Sequence, residues 1–352
     1  MPEPRSTVSP DARRVLIVVN PKAGARSGKA AVERLVEVLE ADRFDVEVHG
    51  EIEAASARAR ELFDAQSLRT VVAAGGDGTV GLVVNNTPAG APITVLPLGT
   101  ENLLAKHLGM AHDPAEVQRV IRQGDMVRFD AGRANGRIFL LMASCGFDAD
   151  VVRRLHSERH GHIHQLSYAR PIFDSILNYQ YPELRITCEP AISPDAAHLG
   201  TGASQTVQVE AVQVEAAAVE SANGHSVEPI LARWAFVMNL PRYAAGLQIV
   251  PQALGDDGLL DVCTFKEGSL WSGLTYLAGV LMGQHQTYSD CVNRRAARVR
   301  IESDEPAPYQ LDGDPGGFTP LEIDVVPSRL TMLAPRAWAE QHAGRPCEAG
   351  PS

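Results

Sequence analysis

The sequence predicts an N-terminal α/β domain on a mostly parallel sheet, followed by an antiparallel β domain. Three observations carry this expectation. Residues 14–97 alternate between strand-like and helix-like apolar spacing. After about Asp130 the pattern changes to short strands, with a hairpin signal at Asn135-Gly136. The chain is 352 residues long, enough for two domains of ~150 residues each.

Residues 15–19 are a continuous apolar run, as a strand buried on both faces requires. Val32, Leu35, Val36 and Leu39 then recur at i, i+3, i+4 and i+7, one face of a helix. Phe44, Val46 and Val48 alternate as a strand, and Ile52, Ala55, Ala59, Leu62 and Phe63 return to helical spacing. Residues 70–74 and 93–96 are short apolar strands. Such alternation implies a parallel sheet covered by helices on both faces. Asp113-Pro114-Ala115-Glu116 announces another helix, with an Asp cap, Pro at the first position and Glu three residues after the cap. Beyond it, residues 127–133 and 137–143 read as the two strands of a hairpin. Further strands are expected at 183–188, 233–239, 259–265, 297–301 and 321–326. Residues 189–230 contain no aromatic residue. Their alternating centre admits a surface hairpin, but a flexible insertion is the expectation, because little large apolar surface offsets the ordering entropy. Residues 1–13 and 341–352 read as tails.

Lys and Arg number 32 against 43 Asp and Glu, a formal charge of −11. This argues against a nucleic-acid partner, which needs clustered positive charge. Aromatic residues make up only 5%, too few for stacking platforms. The five cysteines, Cys145, Cys188, Cys263, Cys291 and Cys347, form no C-x-x-C pair. Neither a disulfide framework nor a cysteine zinc site is expected, and a reducing compartment fits. The first fourteen residues lack the apolar core of a signal peptide. The longest apolar stretch, 270–282, is interrupted by Ser272, Gly273 and Thr275 and is too short to span a bilayer. A soluble cytoplasmic protein is the expectation.

Gly75-Gly76-Asp77-Gly78-Thr79 follows one strand and opens a helical stretch. Glycines at such a turn let backbone approach a phosphate, and the positive helix end receives its charge. The spacing matches neither the dinucleotide fingerprint nor the P-loop. Asp77 inside a phosphate cradle would repel the anion unless a divalent cation bridges them, which points to a Mg²⁺–nucleotide. The plainer alternative is a glycine turn with an Asp capping a helix. Two further polar turns, Asn20-Pro21-Lys22-Ala23-Gly24 and Pro97-Leu98-Gly99-Thr100-Glu101-Asn102, close the first and fourth strands. In open parallel sheets, ligands bind beyond the carboxyl ends of the strands.

These three motifs, in this order and spacing, resemble the diacylglycerol kinase catalytic-domain family, which includes bacterial lipid kinases and sphingosine and ceramide kinases. The resemblance continues through Ser144-Cys145-Gly146-Phe147-Asp148-Ala149, through residues 251–261, and through Leu311-Asp312-Gly313-Asp314. It implies a Rossmann-like parallel α/β domain (residues 14–130, with about 320–340 returning to it) and a C-terminal antiparallel β-sandwich (131–319). The nucleotide would lie in the cleft between them. The implied activity, within lipid metabolism, is transfer of the ATP γ-phosphate to a lipid hydroxyl presented at a membrane surface. Asn20, Pro21, Lys22, Ala23, Gly24, Gly75, Gly76, Asp77, Gly78, Thr79 and Thr100 would bind ATP, with catalytic Mg²⁺. A structural Mg²⁺ would be held by the Asp257 carboxylate and the backbone carbonyls of Leu254 and Leu259; an acidic surface turn is the alternative there. Asp314 stands where the family has its general-base Glu, with Asp312 and Asp77 beside it in the catalytic set. The resemblance leaves room for a homodimer and for peripheral attachment at the inner membrane face. Three positions depart from the family: Gly81-Leu82 replace Asn-Glu, Glu101-Asn102-Leu103 replace Gly-Asn-Asp, and Asp314 replaces Glu. A kinase of a soluble acceptor and a nucleotide-binding regulator without turnover are therefore the competing expectations.

Two weaker features complete the reading. His156, His160, His162 and His164 lie among arginines, either as a solvated loop or as a patch facing anionic headgroups. Trp271, Leu274, Leu277 and Leu281 recur at helical spacing and are expected in the core rather than on a membrane.

Overall fold

The computed structural model describes residues 6–19, 26–157, 175, 178–190, 228–243 and 246–342. Strands β1 (Arg14–Val19), β2 (Asp45–His49), β3 (Leu68–Gly75) and β4 (Pro92–Pro97) lie in the order β2-β1-β3-β4, all parallel. All eight residues of β3 and all six of β4 are buried, which explains their largely apolar sequence, with Arg69, Thr70 and Thr94 buried among it. Helices α1 (Arg26–Ala41), α2 (Ile52–Asp64), α3 (Asp77–Asn86), α4 (Leu103–His107) and α5 (Pro114–Gln123) connect and cover them. At α5 the capping sequence works as written: Asp113 accepts the Ala115 N–H at 3.0 Å, Pro114 opens the helix, and Gly124 closes it in the left-handed region. Buried Arg69 then takes up the exposed carbonyls at that helix end, donating to Ile121 and Arg122 at 2.8 Å each.

The sheet continues beyond β4. Strand β16 (Leu321–Leu333) pairs in parallel with β4 through Thr331 and Met332. Its other end runs antiparallel to β13 (Arg298–Glu302), which is followed by β8 (Leu184–Glu189) and β9 (Ile230–Ala232). Strand β5 (Met126–Ala134) pairs with β16 along almost its whole length and carries β6 (Arg137–Phe139) at its edge. A single ten-stranded sheet thus belongs to both halves of the molecule, and β16 joins them.

A second, antiparallel sheet has the order β12-β11-β10-β7-β14-β15. Its strands are β7 (Met142–Gly146), β10 (Trp234–Met238), β11 (Leu260–Phe265), β12 (Cys291–Ala296), β14 (Pro308–Leu311) and β15 (Asp314–Phe318). Phe139, Leu184, Ile186, Val299 and Ile323 from the long sheet bury against Ala143, Val237, Leu260 and Val262 from this one. That is a β-sandwich core. Three helices complete the described chain: α6 (Phe147–Ser157), α7 (Leu270–Leu281) and α8 (Arg336–His342).

The structure corrects two expectations. Residues 137–143 are not one strand: β6 ends at Phe139 and β7 starts at Met142 in the other sheet. The switch occurs where Asp312 takes the N–H groups of Leu140, Leu141 and Met142, so those amides are lost to the β6 ladder. The Asp312-Gly313 pair turns the chain tightly. Both residues have positive φ, 51° and 87°, and form the two-residue turn of the β14–β15 hairpin, the conformation an Asp-Gly pair favours. Finally, Trp271, Leu274, Leu277 and Leu281 are exposed, because α7 turns Tyr276 rather than this stripe to the core. Most of the insertion, 191–227, and His160, His162 and His164 lie outside the described residues; Ile186 and Ile230, near the insertion's ends, pair directly.

Candidate active site

Two turns meet at the carboxyl ends of β3 and β4. Gly76 and Gly99 touch through their backbones, so a Cβ on Gly99 would lie 2.5 Å from the Gly76 Cα. Asn102 holds the second turn in shape: its side chain accepts the Gly99 N–H at 2.9 Å and donates to the Gly99 carbonyl at 2.7 Å. Asp77 joins the turns. Its two carboxylate oxygens accept the Leu103 N–H at 2.9 Å and the Leu104 N–H at 3.1 Å. It therefore caps α4, the helix across the turn, although it begins α3. Burial raises its pKa, the two amides oppose that, and the Glu101 charge adds to the rise. Glu101 itself pairs with Lys106 at 3.4 Å. Gly75, Gly78 and Thr79 complete the first turn and Thr100 lies exposed in the second. Asn20, Pro21, Lys22, Ala23 and Gly24 lie outside the described residues.

The β14–β15 hairpin brings Asp312 to this place. Its carboxylate accepts the N–H groups of Leu140, Leu141 and Met142 at 2.7, 2.8 and 3.0 Å. Burial lifts its pKa to about 6 against the pull of those three amides, and the charge of Asp77 contributes to the rise. The charge of Asp77 is the smallest of the causes acting on Asp312. Asp314, one step along, is half-exposed and paired with Arg137 at 3.1 Å.

Behind the hairpin lies a polar network that the sequence reading missed. Gln310 accepts the Gly313 N–H at 2.7 Å and donates to Ser144 at 2.9 Å and Asp148 at 3.2 Å. Asp148, its pKa raised by burial, also receives the hydroxyls of Ser144 and Tyr243. Ser144 and Asp148 were visible as one motif at a strand–helix junction. Nothing local marked Gln310 or Tyr243 as their partners.

The second acidic turn, around Asp257, is built differently. Arg295 pairs with one oxygen of the Asp257 carboxylate, while the other accepts the Leu259 N–H at 3.2 Å. The same guanidinium reaches buried Asp261 at 3.5 Å. Among the described residues no three His, Cys, Asp or Glu side chains converge on a metal position. A structural Mg²⁺ held as the resemblance implies, by the Asp257 carboxylate and the carbonyls of Leu254 and Leu259, would share that carboxylate with Arg295.

The glycine turns lie at the carboxyl ends of the parallel strands, where open α/β sheets bind their ligands. Comparison with known proteins makes the class specific. The diacylglycerol kinase catalytic domain matches residues 14–134. The YegS C-terminal NAD kinase beta sandwich-like domain matches residues 142–334. The chain belongs to the diacylglycerol kinase and YegS-like lipid kinase family. A diacylglycerol kinase of Bacillus subtilis is 24% identical over 338 residues, covering 94% of this chain and 99% of the relative. A Pseudomonas aeruginosa protein named "Probable lipid kinase YegS-like" is 28% identical over 280 residues, 77% of this chain and 78% of its own. A solved diacylglycerol kinase structure from Bacillus anthracis shares the fold, with a TM-score of 0.60 at 20% identity, covering 92% of this chain and 98% of the other. Among the described residues no helix is long and apolar enough to cross a membrane.

Proposed function

We propose that the chain is an ATP-dependent lipid kinase that phosphorylates the hydroxyl of a diacylglycerol-type lipid. The observation that carries this reading is the buried Asp312 carboxylate, held by the Leu140, Leu141 and Met142 amides, in a chain whose glycine turns are joined by Asp77 and whose relatives are named diacylglycerol kinases. The glycines leave room for the phosphates beside the positive end of α3. Mg²⁺ enters with the nucleotide as part of the substrate, and its charge relieves the repulsion between the two acids. A carboxylate has about four acceptor positions; the three amide bonds leave Asp312 one. The lipid hydroxyl oxygen attacks the γ-phosphorus, the β–γ bridging P–O bond breaks, ADP leaves, and the hydroxyl proton passes to Asp312. An acid with a pKa of about 6 is suited to accepting a proton near neutrality. The resemblance gave this role to Asp314, but Arg137 occupies that carboxylate.

Incubation with γ-labelled ATP and a panel of diacylglycerol, sphingosine, ceramide, phosphatidylglycerol and soluble polyols tests the reading. Label in phosphatidic acid supports it, and label only in a soluble acceptor refutes it. The soluble-acceptor reading stays in view because the matched second domain is described as NAD kinase-like. Nucleotide binding without label in any acceptor would leave a regulator, consistent with the missing carboxylate at Gly81-Leu82.

A further inference from the structure

Helix α7 carries an apolar stripe that the protein does not cover. Trp271, Leu274, Leu277, Leu281 and Met282 are 76%, 45%, 47%, 64% and 62% exposed. With Ala278 they fall at i, i+3, i+6, i+7, i+10 and i+11, one continuous side of a helix. The opposite side is firmly anchored. Tyr276 stacks on Phe265 with ring centroids 4.4 Å apart and stands edge-on to Trp234 at 6.0 Å. Ser269 and Ser272 form a capping box at the helix start. The stripe is therefore a rigid ridge. Residues 268–289 contain no Asp, Glu, Lys or Arg, so no charge interrupts its approach to an apolar medium.

We propose that this face of α7 is the membrane-docking element, lying in the interfacial plane of a bilayer with Trp271, Leu274, Leu277, Leu281 and Met282 inserted. The proposal rests on the lipid-kinase reading in one respect: a diacylglycerol acceptor stays in the bilayer, so the enzyme must hold itself there. A second copy of the chain is the less suitable occupant. A standard interface uses ~20–30 residues a side with a polar, hydrogen-bonding rim, whereas this ridge is one side of a twelve-residue helix without charged neighbours in its own segment. An interfacial helix sinks its apolar face into the headgroup boundary with its other face polar; in α7 that other face is held by the β-sandwich through Tyr276 and Phe265. Helix α7 follows β11, in the same six-stranded sheet as the Asp312 hairpin. Phe265, where β11 ends before α7, lies level with Gly146, and Asp312 lies level with Met142, so the two are three strands across and four residues along, ~20 Å apart. A net charge of −11 opposes attraction to anionic lipid, so insertion of apolar side chains must carry the binding, and salt should not release it.

The test is sedimentation of the full chain with phosphatidylcholine vesicles, comparing wild type with Trp271→Glu/Leu281→Glu. Both positions are exposed, and matching thermal melts would establish that the variant folds. Wild type should bind, keep its binding in 0.5 M NaCl, and lose at least about tenfold in partitioning in the variant. The variant should phosphorylate water-dispersed dioctanoylglycerol at the wild-type rate but long-chain diacylglycerol in vesicles much more slowly. Equal vesicle binding by the two proteins, or none by either, overturns the proposal. So does a wild-type dimer that the variant splits while vesicles stay unbound. Vesicle binding through α7 without phosphorylation of any diacylglycerol would instead refute the acceptor assignment and leave the docking face standing.

Discussion

The Asp312 turn and the Asp257 turn are both Asp-Gly loops at the margin of the β-sandwich, yet their charges are answered differently. Asp257 is met by Arg295, which also reaches Asp261. Asp312 is met by three backbone amides and by the like charge of Asp77, and among the described residues it makes no salt bridge. An acid neutralised by its own protein has little left to offer a ligand. An acid held in place by amides, facing another acid, is poised for a cation and a proton that arrive from outside. The contrast is the ground for proposing chemistry at one turn and architecture at the other.

The largest effect should come from breaking the active turn. Asp312→Asn should lower turnover by at least ~100-fold, the scale of general-base catalysis, while Asp314→Asn stays within about tenfold of wild type. The reverse order would restore the assignment implied by the family resemblance. With a pKa of about 6, wild-type turnover should fall tenfold per pH unit below that value. Folding should respond in the opposite sense. A carboxyl raised above its ordinary value of ~3.9 binds a proton more tightly in the native state than in the unfolded chain. Its contribution to stability therefore improves as pH falls from about 7 toward 4, by up to about 2 kcal/mol. Urea melts of wild type and Asp312→Asn at pH 7.5 and 5.5 should show wild type gaining on the variant at the lower pH. A constant difference would show that Asp312 does not titrate in this range.

The architectural turn should yield a smaller loss, in stability rather than turnover. Arg295→Met leaves Asp257 and buried Asp261 without their cation. A fully buried pair broken in this way costs about 3–5 kcal/mol, but Arg295 is nearly half exposed, so about 1–2 kcal/mol is expected after solvent screening. Adding Asp257→Asn should recover part of that loss by removing one stranded charge. If the double variant is no more stable than Arg295→Met alone, the guanidinium acts by packing, not by charge.

These differences also explain what the sequence could reveal. The Gly75–Thr79 turn was legible because crowding demands glycine locally, by the Thr79 side chain at Gly75 and by facing backbone at Gly76 and Gly99, and the parallel strands were legible because burial on both faces leaves largely apolar runs. The sheet switch at Leu140 was not. Both halves of residues 137–143 are apolar, and the group that separates them, Asp312, lies 172 residues beyond Leu140. The Asp312-Gly313 hairpin is legible from its turn chemistry alone. For α7, spacing identified the Trp271 stripe but not which side of the helix would meet protein, since Tyr276 on the other side is also large and apolar. Arg295 illustrates the remaining limit, because nothing near Asp257 in sequence announces a cation from β12.

The smallest expected effect separates the two turns most cleanly. In the absence of nucleotide, 5 mM Mg²⁺ or excess EDTA should move the wild-type melting temperature by less than about 1 °C. A ligand stabilises only by binding the native state better than the unfolded chain; at the Asp257 turn the ion would have to displace Arg295 and leave the guanidinium without its carboxylate. At the Asp312 turn, the two acids offer a hard cation few open acceptor positions until phosphate oxygens complete its coordination. Adding ATP together with Mg²⁺ should therefore produce the shift that neither component gives alone, about 2.7 kcal/mol at a concentration 100 times the dissociation constant. In Arg295→Met the pattern should change, because Asp257 is then free to take the ion, and Mg²⁺ alone should raise the melting temperature. A wild-type protein stabilised by Mg²⁺ alone, with Arg295→Met unresponsive, would place a structural metal in this fold with Arg295 as part of its support.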